Sequence, residues 1–144
     1  VPIHLIVRGI CCLRPGVPGL SETITVTSII GRFLEHSRIY IFANGGEFLS
    51  DKTLVFMSSA DLMPRNLHHR VEVFIPLENE TVRAQVLEQV MVALLQDNIN
   101  CWQLQSDGSY VKLSSKDSAF SAHTYFMQNP SLSGLGSLAV SPTK

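Results

Sequence analysis

Residues 79–98 read Asn79-Glu80-Thr81-Val82-Arg83-Ala84-Gln85-Val86-Leu87-Glu88-Gln89-Val90-Met91-Val92-Ala93-Leu94-Leu95-Gln96-Asp97-Asn98. Val82, Val86, Val90 and Leu94, with Leu87, Met91 and Leu95 beside them, recur at helical spacing and predict one long helix whose apolar stripe packs into the core. Asn79 is its expected cap, and Asp97-Asn98 its expected end. Just upstream, Val71-Glu72-Val73-Phe74-Ile75 reads as a strand stopped by Pro76. Strands clustered early and the major helix late give an α/β class for the chain.

Further upstream, strands are expected over 3–8, 24–27, 39–42 and 53–57, from apolar runs, alternation and β-branching. The first of these reads as buried. Pro15-Gly16-Val17-Pro18-Gly19 makes a fixed loop, and Asn44-Gly45-Gly46 ends the third strand with residues that tolerate positive φ. Ile29–Leu34 reads as a short helix or a turn, and Ala60–Asn66 as a short helix in spite of Pro64. Downstream, Trp102–Leu113 predicts a hairpin around Asp107-Gly108, and Ser118–Gln128 a terminal helix. Residues 129–144 hold four Ser, two Gly and two Pro, the composition of a flexible tail. The expected organisation is a single domain over 1–128 followed by that tail.

The 144 residues carry a formal net charge of −1, and only 16% of them are charged, against about 25% in an ordinary soluble domain. With a mean hydropathy of +0.19, these values exclude a disordered chain and a solvated coiled coil. They also suggest surface that does not face water. The sequence starts at Val1 and enters a strand-like run at once, so a fragment of a larger protein is expected. No apolar run reaches the roughly 18–20 residues of a membrane span. Cys11, Cys12 and Cys101 fit neither a disulfide framework nor a zinc pattern. They read as reduced and mostly buried thiols of a cytosolic protein.

Charge is unevenly placed. Residues 1–70 hold six Arg and one Lys against five acids, and four of the five His, while residues 71–144 sum to −3. Guanidinium groups suit bidentate recognition of phosphate or carboxylate. The near-neutral total and single Trp argue against a nucleic-acid platform. His36 and Arg38 stand two apart at a strand entrance and project to the same side. Together with the turn Ser58-Ser59-Ala60-Asp61 and Arg65-Asn66, they form a candidate phosphate pocket. His transfers protons near neutral pH, and Arg with backbone N–H groups holds an oxyanion. Arg8 closes the first strand beside Gly9, which allows close backbone approach, and Arg70 opens the fifth. In one shared sheet, Arg8, His36, Arg38 and Arg70 converge at one rim. Each of these residues also fits an ordinary structural role: a surface histidine, strand-end caps, ion-pair partners, a helix cap. His4 and His123 carry no signal.

The run Leu5-Ile6-Val7-Arg8-Gly9-Ile10-Cys11-Cys12-Leu13-Arg14-Pro15-Gly16 resembles the arginine-glycine-cysteine segment of bacterial polyphosphate kinases. So does Ser28–Tyr40, with Glu35-His36-Ser37-Arg38 at its centre. Ser58–Asn66, His69–Val73 and the hairpin Trp102–Tyr110 continue the likeness in order, which runs from about residue 3 to 127. The resemblance implies a phospholipase D-like domain, a mixed β-sheet flanked by helices, and the last of two such domains in the parent enzyme. It implies reversible transfer of the terminal phosphate of ATP to polyphosphate, through a phosphohistidine in the preceding domain. On that likeness Arg8 and His36 fall on positions that contact nucleotide phosphates, and Arg70 on one that handles phosphate. His36 is also the position that assists proton transfer opposite the nucleophile.

The expected site is therefore His36 and Arg70 as catalytic residues, with Arg8, His36 and Arg38 binding the nucleotide. ATP or ADP is the substrate, with Mg²⁺ accompanying its phosphates and no metal cage in this chain. Expected partners are polyphosphate, the other domains of the same polypeptide and further copies in a homo-oligomer. Expected location is the cytoplasm, compatible with membrane association of the full-length protein. The isolated fragment is expected to be inactive. Phospholipase D enzymes use His-x-Lys where this chain has His36-Ser37-Arg38, which argues against phosphodiester hydrolysis. The remaining alternatives are a non-catalytic anion-binding domain and half of a phosphodiesterase.

Overall fold

The computed structural model describes residues 1–114 and 118–129. The tail expected over 129–144 lies, beyond Asn129, outside these described residues. The chain forms two compact units, one from Val1–Glu35 with the described residues from Ala93 onward, the other from His36–Val92.

The first unit is built on a four-stranded mixed sheet of order β1-β2-β6-β7: β1 (Ile3–Ile6), β2 (Ile24–Ile29), β6 (Cys101–Leu104) and β7 (Tyr110–Lys112). β1 and β2 run parallel, with Ile3 opposite Ile24, while β6 pairs antiparallel to β2 and β7. Parallel neighbours need a long return. Residues 7–23 supply it, tied by Ser21, whose hydroxyl donates to the Arg14 carbonyl (2.6 Å) and accepts from the Val17 amide (3.1 Å). The expected hairpin around Asp107-Gly108 is β6–β7, with Gly108 at φ +91°. β2 is the buried strand, from Val26 to Ile29. β1 is not buried as expected. It is an edge strand, and its first two residues are exposed.

The second unit holds a three-stranded antiparallel sheet of order β3-β4-β5: β3 (Ile39–Phe42), β4 (Leu54–Ser58) and β5 (Phe74–Pro76). The β3–β4 connection passes through Asn44 and Gly45, both at positive φ. It is pinned by fully buried Thr53, whose hydroxyl donates to the Phe48 carbonyl at 2.9 Å. Antiparallel register puts Tyr40, Phe42, Phe56 and Phe74 on one sheet face. Their rings form a ladder: Phe56 stacks on Phe74 at 4.9 Å, Tyr40 meets Phe74 at 5.1 Å, and Phe42 meets Phe56 at 5.9 Å. α1 spans Pro64–His69. The helix expected over 60–66 starts only at Pro64, because proline's fixed φ and missing N–H suit the first helical position and no later one.

The strands thus lie in two sheets, not the one that the expected convergence of arginines required. β5 is shorter than the strand expected over 71–75: it begins at Phe74 and includes Pro76, opposite Phe56. Arg70 does not open it. Arg70 is the C-terminal cap of α1.

The long helical stretch begins where Asn79 caps it, its side chain accepting from the Val82 amide at 3.1 Å. It consists of α2 (Glu80–Ala84), a π-helical segment (Gln85–Met91) and α3 (Val92–Gln96). In the π segment the Val92 N–H reaches back five residues to the Leu87 carbonyl. That spacing rotates the apolar stripe. Leu87, Val92 and Leu94 are buried, whereas Val82 and Leu95, expected in the core, are exposed. Asp97 ends the stretch as a buried carboxylate. Its Oδ1 accepts from the amides of Ile99 (3.1 Å) and Asn100 (2.7 Å), and its Oδ2 from that of Ala122 (2.8 Å) at the start of α4 (Ala122–Gln128). Three free cysteines are present, but only Cys101 is buried; Cys12 is exposed in the proline-glycine loop.

Candidate phosphate site

In the second unit the chain enters β3 through His36-Ser37-Arg38, and the two-residue spacing brings the side chains together as expected. Arg38 Nη1 donates to Nδ1 of His36 at 3.1 Å. Arg38 Nε donates to Oδ1 of Asp61 at 2.8 Å, with both side chains about four-fifths buried (17% and 22% exposed). Arg65 stands 3.6 Å from the other Asp61 oxygen. β-Pairing explains the meeting: the Ser58 amide donates to the Arg38 carbonyl, so the turn that follows β4 passes the start of β3.

The chemistry of these contacts fixes a tautomer. A guanidinium has donors only, so the ring nitrogen that faces Arg38 must be an acceptor. Nδ1 of His36 is therefore unprotonated in this arrangement, and Nε2 carries the proton. Asp61 in turn holds the Arg38 guanidinium charged, mainly through their hydrogen bond, raising its pKa above the ordinary arginine value. The result is an exposed imidazole that offers an N–H, beside a braced cation.

The serine turn is arranged differently from expectation. Ser58 Oγ accepts from the Ala60 amide and donates to the Val73 carbonyl; Ser59 Oγ accepts from the Val73 amide and donates to Glu72. The Ser59 amide donates to the Val73 carbonyl as well. The amides of Ser59 and Ala60 are thus already committed, and the turn is a clasp on residues 72–73 ahead of β5 rather than an oxyanion cradle. Nor does it cap α1, whose N-terminal flank is Met63. Glu72 also accepts from buried Asn66 at 2.8 Å. The hydrogen bonds from Ser59 and Asn66, then the charges of Arg70 and Arg38, hold its carboxyl below the usual glutamate value. Arg70 and Arg38 therefore act on one carboxylate, with Arg70 exposed.

In the first unit, half-buried Arg8 follows β1 and donates from Nη1 to the carbonyl of Glu35 at 3.0 Å. Gly9 has φ +80°, a conformation that favours glycine, and a Cβ built there would meet no protein atom within 4 Å. The residues that spacing does not reveal are Asp61 as the Arg38 brace, Glu72, and above all His123. His123 is 2% exposed and bonded to Glu35. Partners 23 and 88 residues apart leave no local pattern to read.

Among the described residues no group of three His, Cys, Asp or Glu side chains lies together as a metal site would need. No described helix is long and apolar enough to cross a membrane.

Comparison with known proteins agrees with this architecture. Residues 1–123 match the family model of polyphosphate kinase C-terminal domain 2. A polyphosphate kinase of Erythrobacter litoralis is 59% identical over 136 residues, covering 94% of this chain and 19% of that protein. One from Prosthecochloris aestuarii is 47% identical over 133 residues, covering 92% and 18%. The crystal structure of polyphosphate kinase from Porphyromonas gingivalis superposes with a TM-score of 0.79 at 38% identity, over 90% of this chain and 19% of that one. The chain thus spans less than a fifth of the length of these relatives. The mixed α/β architecture is the phospholipase D-like fold expected from the resemblance. On these matches, and on the near-complete coverage of its residues by them, the chain belongs to the polyphosphate kinase family, as a C-terminal domain of such an enzyme.

Proposed function

We propose that this chain supplies the phosphate-gripping side of the active site in an enzyme that reversibly transfers the terminal phosphate of ATP to polyphosphate. His36 and Arg70 act as catalytic residues, and Arg8, His36 and Arg38 bind the nucleotide phosphates. The observation that carries the reading is the triad of His36, Arg38 and Asp61: an exposed imidazole whose Nδ1 faces a cation that is itself held by a carboxylate.

Phosphoryl transfer spreads negative charge over the moving group, so fixed donors do most of the stabilising. In the first half-reaction the bond from the γ-phosphorus to the β,γ-bridging oxygen breaks, and a bond to a histidine nitrogen of the preceding domain forms. ADP leaves with the bonding pair on its terminal oxygen. His36 Nε2–H faces that developing charge while Arg38 holds non-bridging oxygens; Arg8 and Arg70 keep the phosphate-contacting roles that the resemblance gives them. The phosphohistidine then passes its group to the end of a polyphosphate. Magnesium enters with ATP as part of the substrate. Asp61 and Glu72, the carboxylates beside these residues, are engaged by Arg38 and by Ser59 and Asn66. The reading puts the enzyme in the cytoplasm, as an oligomer.

The test is ATP-dependent polyphosphate synthesis by the complete enzyme that carries this chain. His36→Ala and Arg8→Ala are each expected to lower the rate by about a hundred- to a thousandfold, the usual cost of removing one transition-state donor. Near wild-type rates in both variants would overturn the roles of His36 and Arg8.

A further inference from the structure

We propose that His123 is a positioning residue, which with Glu35 holds the chain segment leading into His36. The proposal rests on the proposed role of His36 and adds a residue to it.

Residues 30–35 form the strap between β2 and His36, and they are tethered at Ile30, Phe33 and Glu35. The Ile30 amide donates to the Asn100 carbonyl at 2.9 Å. The Phe33 amide donates to Nδ1 of His123 at 3.3 Å, and the Phe33 ring lies against the imidazole with centroids 5.4 Å apart. Because Nδ1 accepts, Nε2 carries the proton, and it donates to Oε1 of Glu35 at 2.8 Å. The Glu35 carbonyl takes the hydrogen bond from Arg8. Both ends of Glu35, side chain and carbonyl, are thus fixed, and the Cα of His36 is one peptide away, about 3.8 Å.

The anchor is itself held. Ser121 caps α4 by accepting from the Thr124 amide, and the Ala122 amide donates to Asp97. His123 is thereby set at the second position of α4 with its ring buried. Gly31 completes the fit. A Cβ built on Gly31 would overlap Nδ1 of His123 and approach Cε1 to 3.0 Å, so the strap lies against the ring at a distance only glycine permits.

A packing role alone does not account for this. A buried polar ring bonded to a carboxylate often gives no more stability than a well-packed apolar side chain of similar volume. What it adds is direction: two hydrogen bonds of opposite sense set both the strap's path and the last residue before His36. A displacement near 1 Å at a reacting group costs about a hundredfold in rate.

The test uses the complete enzyme and steady-state polyphosphate synthesis. His123→Phe is expected to lower kcat between about tenfold and a hundredfold. His123→Gln, whose amide still donates to Glu35, is expected to recover most of that loss. In the His36→Ala background, His123→Phe is expected to cost nothing further, because the imidazole it positions is gone. Should His123→Phe not fold, Glu35→Ala removes the same tether and is read by the same criteria. The proposal is overturned if the tether variant works within twofold of wild type, or if its loss multiplies undiminished onto His36→Ala. A slow His36→Ala beside a fast His123→Phe overturns the positioning role alone, whereas a fast His36→Ala removes the reading of His36 and this proposal with it.

Discussion

Nε of Arg38 lies 2.8 Å from Oδ1 of Asp61, on the turn after the neighbouring strand. The guanidinium is therefore clamped on one edge while its Nη1 faces the ring of His36. A flexible side chain has become a fixed one, and its fork geometry is what permits both contacts at once. Asp61→Asn keeps the shape but removes the charge. It is expected to slow polyphosphate synthesis by about tenfold, within the range for a misplaced reacting group. A rate equal to wild type would mean that Arg38 needs no brace.

Arg38→Lys tests the fork directly. An ammonium cannot span Asp61 and His36 with the same in-plane pair of donors. Nitrogen NMR of the His36 ring is expected to show the Nε2–H tautomer in the wild type and a mixture in Arg38→Lys. An unchanged tautomer would show that something other than Arg38 sets the proton.

Glu72 gives a pH signature of known sign. Its folded carboxyl is held below its ordinary value of 4.5 by Ser59 and Asn66. Its contribution to local stability is therefore fully present above the unfolded value and is lost as pH falls through the folded one. Hydrogen exchange at the Val73 amide, which donates to Ser59, reads this locally. Glu72→Gln is expected to speed that exchange relative to wild type at pH 7, and the difference should close in strong acid. A gap that persists at low pH would assign the effect to shape and not to charge.

Asn79→Ala removes the cap of α2 and is expected to cost about 1 kcal/mol, while Asn79→Asp should cost little. Chemical denaturation midpoints check both. Equal midpoints for Ala and wild type would show that packing of the π-helical segment, not the cap, anchors this helix.

The chain alone is expected to show no turnover in either direction, because on the proposed mechanism the phosphorylated histidine lies in another domain. Phosphate transfer between ATP and polyphosphate by the purified chain would contradict that mechanism.

Some signals are legible in the sequence because their physics is local. The cap at Asn79, the Asp107-Gly108 hairpin and the His36–Arg38 spacing each depend on neighbours a few residues away, and each stands in the fold. An apolar run does not reveal whether a strand has one neighbour or two, so β1 reads as buried although among the described residues it pairs with β2 alone. Alternation over 71–75 resembles a strand whether or not its first residues find a partner, and this puts Arg70 at a strand entrance that does not exist. The two-sheet arrangement and the bonds from Asp61 and His123 depend on long-range contacts, the latter two across 23 and 88 residues, and no periodicity records those. The resemblance to polyphosphate kinases supplies the order of motifs, but not which residues hold the catalytic ones in place.

The ladder of Tyr40, Phe74, Phe56 and Phe42 has a practical consequence for the bench. Phe42 and Phe74 are each 52% exposed on the sheet face that carries the ladder. By itself such a surface takes up reporter dyes for apolar patches and sets a low ceiling on usable concentration. Detergent-free buffers of low salting-out strength, or a Lys in place of Phe42, would raise that ceiling without touching His36, Arg38 or Asp61.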